Sequence, residues 1–171
     1  MRICFFGSGR FALPTFDSLR NDRHEIVAVV TQPDRPAGRG KTLTPTPIKL
    51  AASEVKLPVL DPENVNSPDV VQSIIALKAD LAYVAAFGQK IGATLRDAFP
   101  VGIVNLHASL LPSWRGAAPI PWAILNGDSE TGVSVFRLVE KMDAGPVLLQ
   151  RRTAIGGDET ADELHERLSR I

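Results

Sequence analysis

The chain has 171 residues and sets 19 Lys and Arg against 19 Asp and Glu, so no net charge draws it toward nucleic acid, and such a partner would need a local basic patch. A 44% apolar and 22% charged composition excludes a disordered chain, and the single Cys4 excludes a disulfide framework or a cysteine zinc cluster. No apolar run approaches the ~18 residues of a membrane span, and the opening stretch is too short for a signal peptide, so a reducing cytosol is the expected compartment.

From the N-terminus, residues 2–6 are an apolar run that predicts a strand, and residues 10–21 a helix with Phe16 and Leu19 three apart and Pro14 confined to its first turn. The next strand, 25–31, contains Ile26-Val27-Ala28-Val29-Val30, the pattern of a strand buried on both faces. The segment from Pro33 to Lys49 then breaks the rhythm. It holds Pro33, Pro36, Pro45 and Pro47, which makes it too rich in Pro and Gly for a helix or strand; a loop of this length is usually functional or disordered. A helix in the remainder of that region and a strand at 57–60 follow. Ser67-Pro68-Asp69 reads as an N-cap, a first-position Pro and a first-turn acid, opening a helix to about Lys78. Strands are predicted at 80–85, 102–106, 131–139 and 146–151, with helices between the first three. Thr160-Ala161-Asp162-Glu163 is a capping box, and Leu164, Leu168 and Ile171 line one face of the helix it opens. That helix runs to the last residue without a stop signal, which points to further protein beyond it. The order predicts a doubly wound, mostly parallel α/β sheet of Rossmann-like type, with ligands beyond the carboxyl ends of its strands.

Four places hold candidate chemistry. Gly7-Ser8-Gly9-Arg10-Phe11-Ala12 matches the glycine pattern of a dinucleotide phosphate cradle, but the second strand ends without the acid that would hold a ribose. A tight turn needing glycine is the better reading, with a small anion still open. Asn105 and His107 fall two apart at the carboxyl end of a predicted strand and share a side; an amide and an imidazole there can clamp an oxyanion. Asp143 sits in a turn beside Gly145 and Pro146, and is either a turn former or a carboxylate that reaches His107, orienting it and favouring its charged form. Finally, the 33–49 loop carries Arg35, Arg39, Lys41 and Lys49, and Trp114-Arg115 follows the His107 segment. Basic residues on a loop can follow a phosphate backbone and Trp can stack on a base; a solvated loop and a half-buried Trp are equally open. His24, His165 and Cys4 read as turn, solvated helix and core residues, and no spacing suggests a metal.

Two stretches together resemble a known family: residues 31–41, Thr-Gln-Pro-Asp-Arg-Pro-Ala-Gly-Arg-Gly-Lys, and residues 105–120, from Asn-Leu-His-Ala-Ser-Leu-Leu-Pro to Trp-Arg-Gly-Ala-Ala-Pro-Ile. The Asn-x-His pair and Ser-Leu-Leu-Pro are similar to those of the folate-dependent formyltransferases, and the loop and the Trp-Arg-Gly-Ala-Ala-Pro run to their tRNA-formylating branch. The resemblance spans the chain and implies transfer of the formyl group of 10-formyltetrahydrofolate to the α-amine of initiator methionyl-tRNA, for translation initiation. It implies Asn105, His107 and Asp143 as catalytic residues. It implies folate contacts at Ser109, Leu110, Leu111 and Pro112, and a pterin-pocket wall including Phe87, Gly88 and Gln89. It implies tRNA contact at Arg39, to which the basic loop and the aromatic add Arg35, Lys41, Trp114 and Arg115. It also implies a catalytic domain over residues 1–171, with a tRNA-gripping β-barrel lying beyond this chain, a monomer without metal or membrane partner. The Met-Asp-Ala-Gly around Asp143 departs from the family's more frequent Leu-Asp-Thr-Gly, and Gly7-Ser8-Gly9 from its more usual Gly-Thr-Pro. The alternatives are another amine acceptor, such as a purine-pathway ribonucleotide or an amino sugar, and a non-catalytic nucleotide-binding domain.

Overall fold

The computed structural model describes residues 1–171. They form two compact units, Met1–Ile103 and Val104–Ile171.

In the first unit, β1 (Arg2–Gly7) leads through one 3-10 turn, Arg10–Ala12, into α1 (Leu13–Arg20), so the helix predicted at 10–21 is split. Pro14 lies at the start of α1, where the missing N–H costs nothing. Then come β2 (Glu25–Val30), β3 (Arg35–Ala37), β4 (Thr42–Thr44), α2 (Pro47–Glu54), β5 (Val59–Leu60), α3 (Pro68–Ala76), β6 (Leu81–Ala85) and the short α4 (Ala93–Arg96). β1 pairs in parallel with β2 on one side and β6 on the other, and β5 joins β2, again in parallel. A strand paired on both sides and covered on both faces has no solvated side chains, and Cys4, Phe5 and Phe6 are fully buried. Phe16 of α1 meets the Phe5 ring at 5.3 Å, and Phe87 meets Phe6 edge-on at 5.3 Å. Each such buried ring contributes about 1.5–3 kcal/mol.

The proline-rich segment departs from the expectation of no regular structure. β3 and β4 pair as an antiparallel ribbon, Pro36 opposite Leu43, around a turn closed by Lys41 N–H donating to the Gly38 carbonyl at 3.2 Å. A two-stranded ribbon has outer edges that demand no N–H, so it accommodates a proline. α2 starts inside the same segment: Thr46 caps it by accepting from Lys49 N at 3.1 Å, with Pro47 in first position. At α3 the capping position is Ser67 as predicted, but its hydroxyl donates to the Asn64 carbonyl instead of capping the helix.

β7 (Gly102–His107) runs into the second unit, followed by α5 (Pro119–Leu125), β8 (Glu130–Arg137), β9 (Val147–Ala154) and α6 (Ala161–Ser169). β7, β8 and β9 pair antiparallel, with β8 central. The capping box forms: Thr160 Oγ1 accepts from Glu163 N at 3.3 Å, and Glu163 Oε2 accepts from Thr160 N at 2.9 Å. Leu164 and Leu168 are buried as expected, but α6 closes at Ser169, Ile171 is exposed, and His165 is half-buried instead of solvated.

Candidate active site

Pairing with β8 sets the end of β7 in register, with Asn105 opposite Phe136 and His107 opposite Ser134. His107 is buried, and its Nε2 lies 2.8 Å from the Trp114 carbonyl oxygen. A carbonyl can only accept, so Nε2 carries the hydrogen. The other ring nitrogen, Nδ1, faces Asp143 Oδ2 at 3.7 Å, with both side chains nearly buried. The turn former and the imidazole partner expected separately for Asp143 are therefore one residue in both roles. Its backbone takes φ +47°, and Oδ2 accepts from Gly116 N at 2.8 Å. Gly145 makes this turn possible: a Cβ there would lie 1.7 Å from the Arg137 carbonyl oxygen. Asn105 is half-buried, and no protein group engages its amide.

The folate-matched run Ser109, Leu110, Leu111 and Pro112 is fastened by residues the sequence did not single out. Ser134, fully buried on β8, donates to the Ser109 carbonyl at 2.6 Å and accepts from Leu111 N at 3.0 Å. Gln150 of β9 donates to the Leu111 carbonyl at 3.0 Å and to Ser134 Oγ at 2.9 Å. Ser109 spends its own hydroxyl on the Ser113 carbonyl at 2.6 Å, so this run offers a ligand backbone groups and apolar side chains more than hydroxyls. A lone Ser in an apolar strand was the one signal for Ser134. Trp114 is half-buried and its indole N–H donates to Asp128 Oδ2 at 2.6 Å. Arg115 is exposed.

The remaining candidates lie in the first unit. Ser8 N and Gly9 N both donate to the Ala86 carbonyl, at 3.1 and 3.2 Å, so the amides that would cradle a phosphate are already used. Gly7–Gly9 is thus a turn, and the non-catalytic nucleotide-binding alternative loses its site. Gln89 accepts from Val65 N at 2.8 Å and donates to the Pro62 carbonyl at 3.0 Å. Its amide holds the 86–89 segment in place, and Phe87 is buried while Gly88 is exposed at φ +88°. In the hairpin, Arg35 is clamped by Glu63 at 3.1 and 2.5 Å. Lys49 bridges Asp34 at 2.6 Å and Asp61 at 2.7 Å; these carboxylates, Asp34 first, hold its ammonium above the usual lysine range. Of the four basic residues only Arg39 and Lys41, both exposed at the hairpin turn, carry unpaired charge. No cluster of His, Cys, Asp or Glu could hold a metal, and no helix is long and apolar enough to cross a membrane.

Comparison with known proteins shows the family. The sequence is 48% identical over 171 residues to a Geotalea daltonii protein named methionyl-tRNA formyltransferase, covering 100% of this chain and 55% of that one. It is 49% identical over 172 residues to one of the same name from Synechococcus sp. WH7803, covering 100% and 51%. The chain spans about half the length of these relatives. The fold superposes on phosphoribosylglycinamide formyltransferase from Bacillus halodurans with a TM-score of 0.81 at 23% identity, over 98% of this chain and 87% of that one. On glycinamide ribonucleotide transformylase 1 from Geobacillus kaustophilus the TM-score is 0.78 at 29% identity, over 98% and 90%. The expected mostly parallel, Rossmann-like α/β class is the observed one, with the antiparallel β7–β8–β9 ladders as its exception. The model of the family described as formyl transferase matches residues 1–171, and a match that runs the whole chain, instead of resting on one shared motif, makes this protein a member of the formyl transferase family.

Proposed function

We propose that this protein transfers the formyl group of 10-formyltetrahydrofolate to the α-amine of methionyl-tRNA, with Asn105, His107 and Asp143 as catalytic residues. The observation that carries the chemistry is the His107–Asp143 pair at 3.7 Å, two residues along β7 from an amide that no protein group engages. The tRNA acceptor is supported by the names of relatives at 48 and 49% identity, and by two free cations on the hairpin turn.

An aminoacyl α-amine titrates near the α-amino range of ~7.7–8.0, so a useful fraction is neutral at pH 7 and needs no protein nucleophile. Its nitrogen attacks the formyl carbon, and the carbonyl electrons move to oxygen. Asn105 donates its N–H to that oxygen. His107 donates from Nδ1, since its Nε2–H is already committed to Trp114. Each such donor lowers the barrier by roughly 2.7–4 kcal/mol in comparable oxyanion sites. Asp143, too far from Nδ1 for a hydrogen bond, stabilises the imidazolium by charge and receives through water the proton the amine loses. Collapse breaks the bond from carbon to N10 of the folate, which takes up a proton. Residues 109–112 contact the folate, and Arg39 and Lys41 contact tRNA phosphates.

The test supplies 10-formyltetrahydrofolate with either methionyl-tRNA or glycinamide ribonucleotide. Formylmethionyl-tRNA is the expected product. Formylation of the ribonucleotide with no formylated tRNA replaces the acceptor but keeps the mechanism.

A further inference from the structure

His107 and Asp143 are both tied to the same short segment. His107 donates to the Trp114 carbonyl, and Gly116 N donates to Asp143 at 2.8 Å. This segment is irregular, with φ of +53° at Trp114, +88° at Gly116 and +56° at Ala118, and no helix or strand ladder fixes the Trp114 carbonyl. Ser113 and Gly116 are held by hydrogen bonds on either side, and between them Trp114 has an anchor of its own: its indole donates to Asp128 Oδ2 at 2.6 Å. Asp128 is itself held: Asn126 Nδ2 donates to its Oδ1 at 2.7 Å, and its backbone N–H donates to the Ala123 carbonyl at 3.0 Å, off the end of α5. The path from Asp128 to the imidazole consists of two direct hydrogen bonds joined through Trp114 itself.

We infer that Trp114 and Asp128 are positioning residues that hold His107 in its Nε2–H tautomer, so that Nδ1, facing Asp143, is the nitrogen that gains and loses the proton. The sequence offered Trp114 as a base-stacking residue; its indole N–H is assigned this separate task. The kinetic consequence rests on the formyl-transfer reading, whereas the tautomer itself does not. Without the indole anchor the Trp114 carbonyl drifts, Nε2 loses its acceptor, and the Nδ1–H form becomes available beside the Asp143 carboxylate.

The experiment records the nitrogen shifts of His107 in the 15N-histidine-labelled 171-residue chain, for the unaltered protein, Trp114→Phe, Asp128→Ala and both together. Asp128→Leu, which keeps the side chain's size but offers no acceptor, serves if Asp128→Ala does not fold. The expected result, read at a pH where His107 is neutral, is a predominantly Nε2–H imidazole in the unaltered chain and a raised Nδ1–H share in each variant. Formyl transfer then falls about tenfold in kcat with KM for 10-formyltetrahydrofolate held within twofold, as removal of one hydrogen bond would give. The double variant falls no further than the worse single one, because both substitutions cut one path. An Nδ1–H histidine in the unaltered chain overturns the inference, as do folded variants whose tautomer matches the unaltered chain or losses that multiply. If the tautomer responds as expected but no acceptor is formylated, the positioning stands and the formyl-transfer reading falls.

Discussion

His107 has one nitrogen committed to a carbonyl and the other aimed at a carboxylate just beyond hydrogen-bonding range. That asymmetry decides what each neighbour does. Replacing Asp143 by Asn keeps a side chain of the same size but removes the charge that stabilises the imidazolium. It is expected to lower kcat by roughly 10²–10³-fold, the scale of one lost electrostatic group at an oxyanion site, with KM for 10-formyltetrahydrofolate little changed. A steady-state comparison checks this, and a loss confined to KM would make Asp143 a binding residue. Gly145→Ala tests the turn instead of the charge. A Cβ 1.7 Å from the Arg137 carbonyl oxygen forces the turn open, so melting temperature and activity should fall together. Asn105, His107 and Asp143 were legible in sequence as polar residues at a strand end and in a turn. The role of Trp114 was not, because its indole is spent on Asp128, fourteen residues along, and no local pattern announces that contact. Ser134 and Gln150 were hidden for the same reason: their partners lie across the sheet ladder.

Among the elements, continuous apolar runs marked the strands of the sheet to within a few residues, since burial on both faces removes polar side chains from the interiors of β1 and β2, beyond Arg2 and Glu25 at their starts. The β3–β4 hairpin was missed because its proline and glycine content suits an isolated ribbon but not a sheet interior. α2 carried a readable signal in Thr46-Pro47, the same pairing as Ser67-Pro68, that the surrounding prolines obscured. α6 offers an acid test. Glu159 accepts from Arg167 at 2.8 Å and from Gly156 N at 3.0 Å, and these bonds, the guanidinium first, hold its pKa at about 2 against an ordinary 4.5. A carboxylate with a depressed folded-state pKa contributes stability that is present above pH 4.5 and lost as pH falls toward 2. Arg167→Met should therefore reduce stability at neutral pH and narrow the gap to the unaltered chain as pH drops through that window. Denaturant unfolding at pH 7 and pH 3 measures it; an equal difference at both values would show that packing, not charge, is lost.

On the scale of the whole molecule, a net charge of zero gives no global pull on a polyanion, so local cations must hold it; Arg35 and Lys49 are already paired with carboxylates, whereas Arg39 and Lys41 at the hairpin turn are not. Arg39→Ala should raise KM for methionyl-tRNA and reduce the salt slope of tRNA binding by about one phosphate contact, leaving folate affinity alone. A change in folate affinity would place Arg39 in the other substrate's site. The account as a whole stands on an imidazole, its carboxylate and a free amide acting on one formyl carbonyl. The most direct measurement is single-turnover formation of formylmethionyl-tRNA from saturating 10-formyltetrahydrofolate, for the unaltered protein and His107→Ala. The account predicts a fall of roughly 10²–10³-fold in the chemical step with folate affinity retained. An undiminished single-turnover rate in the folded variant would contradict it.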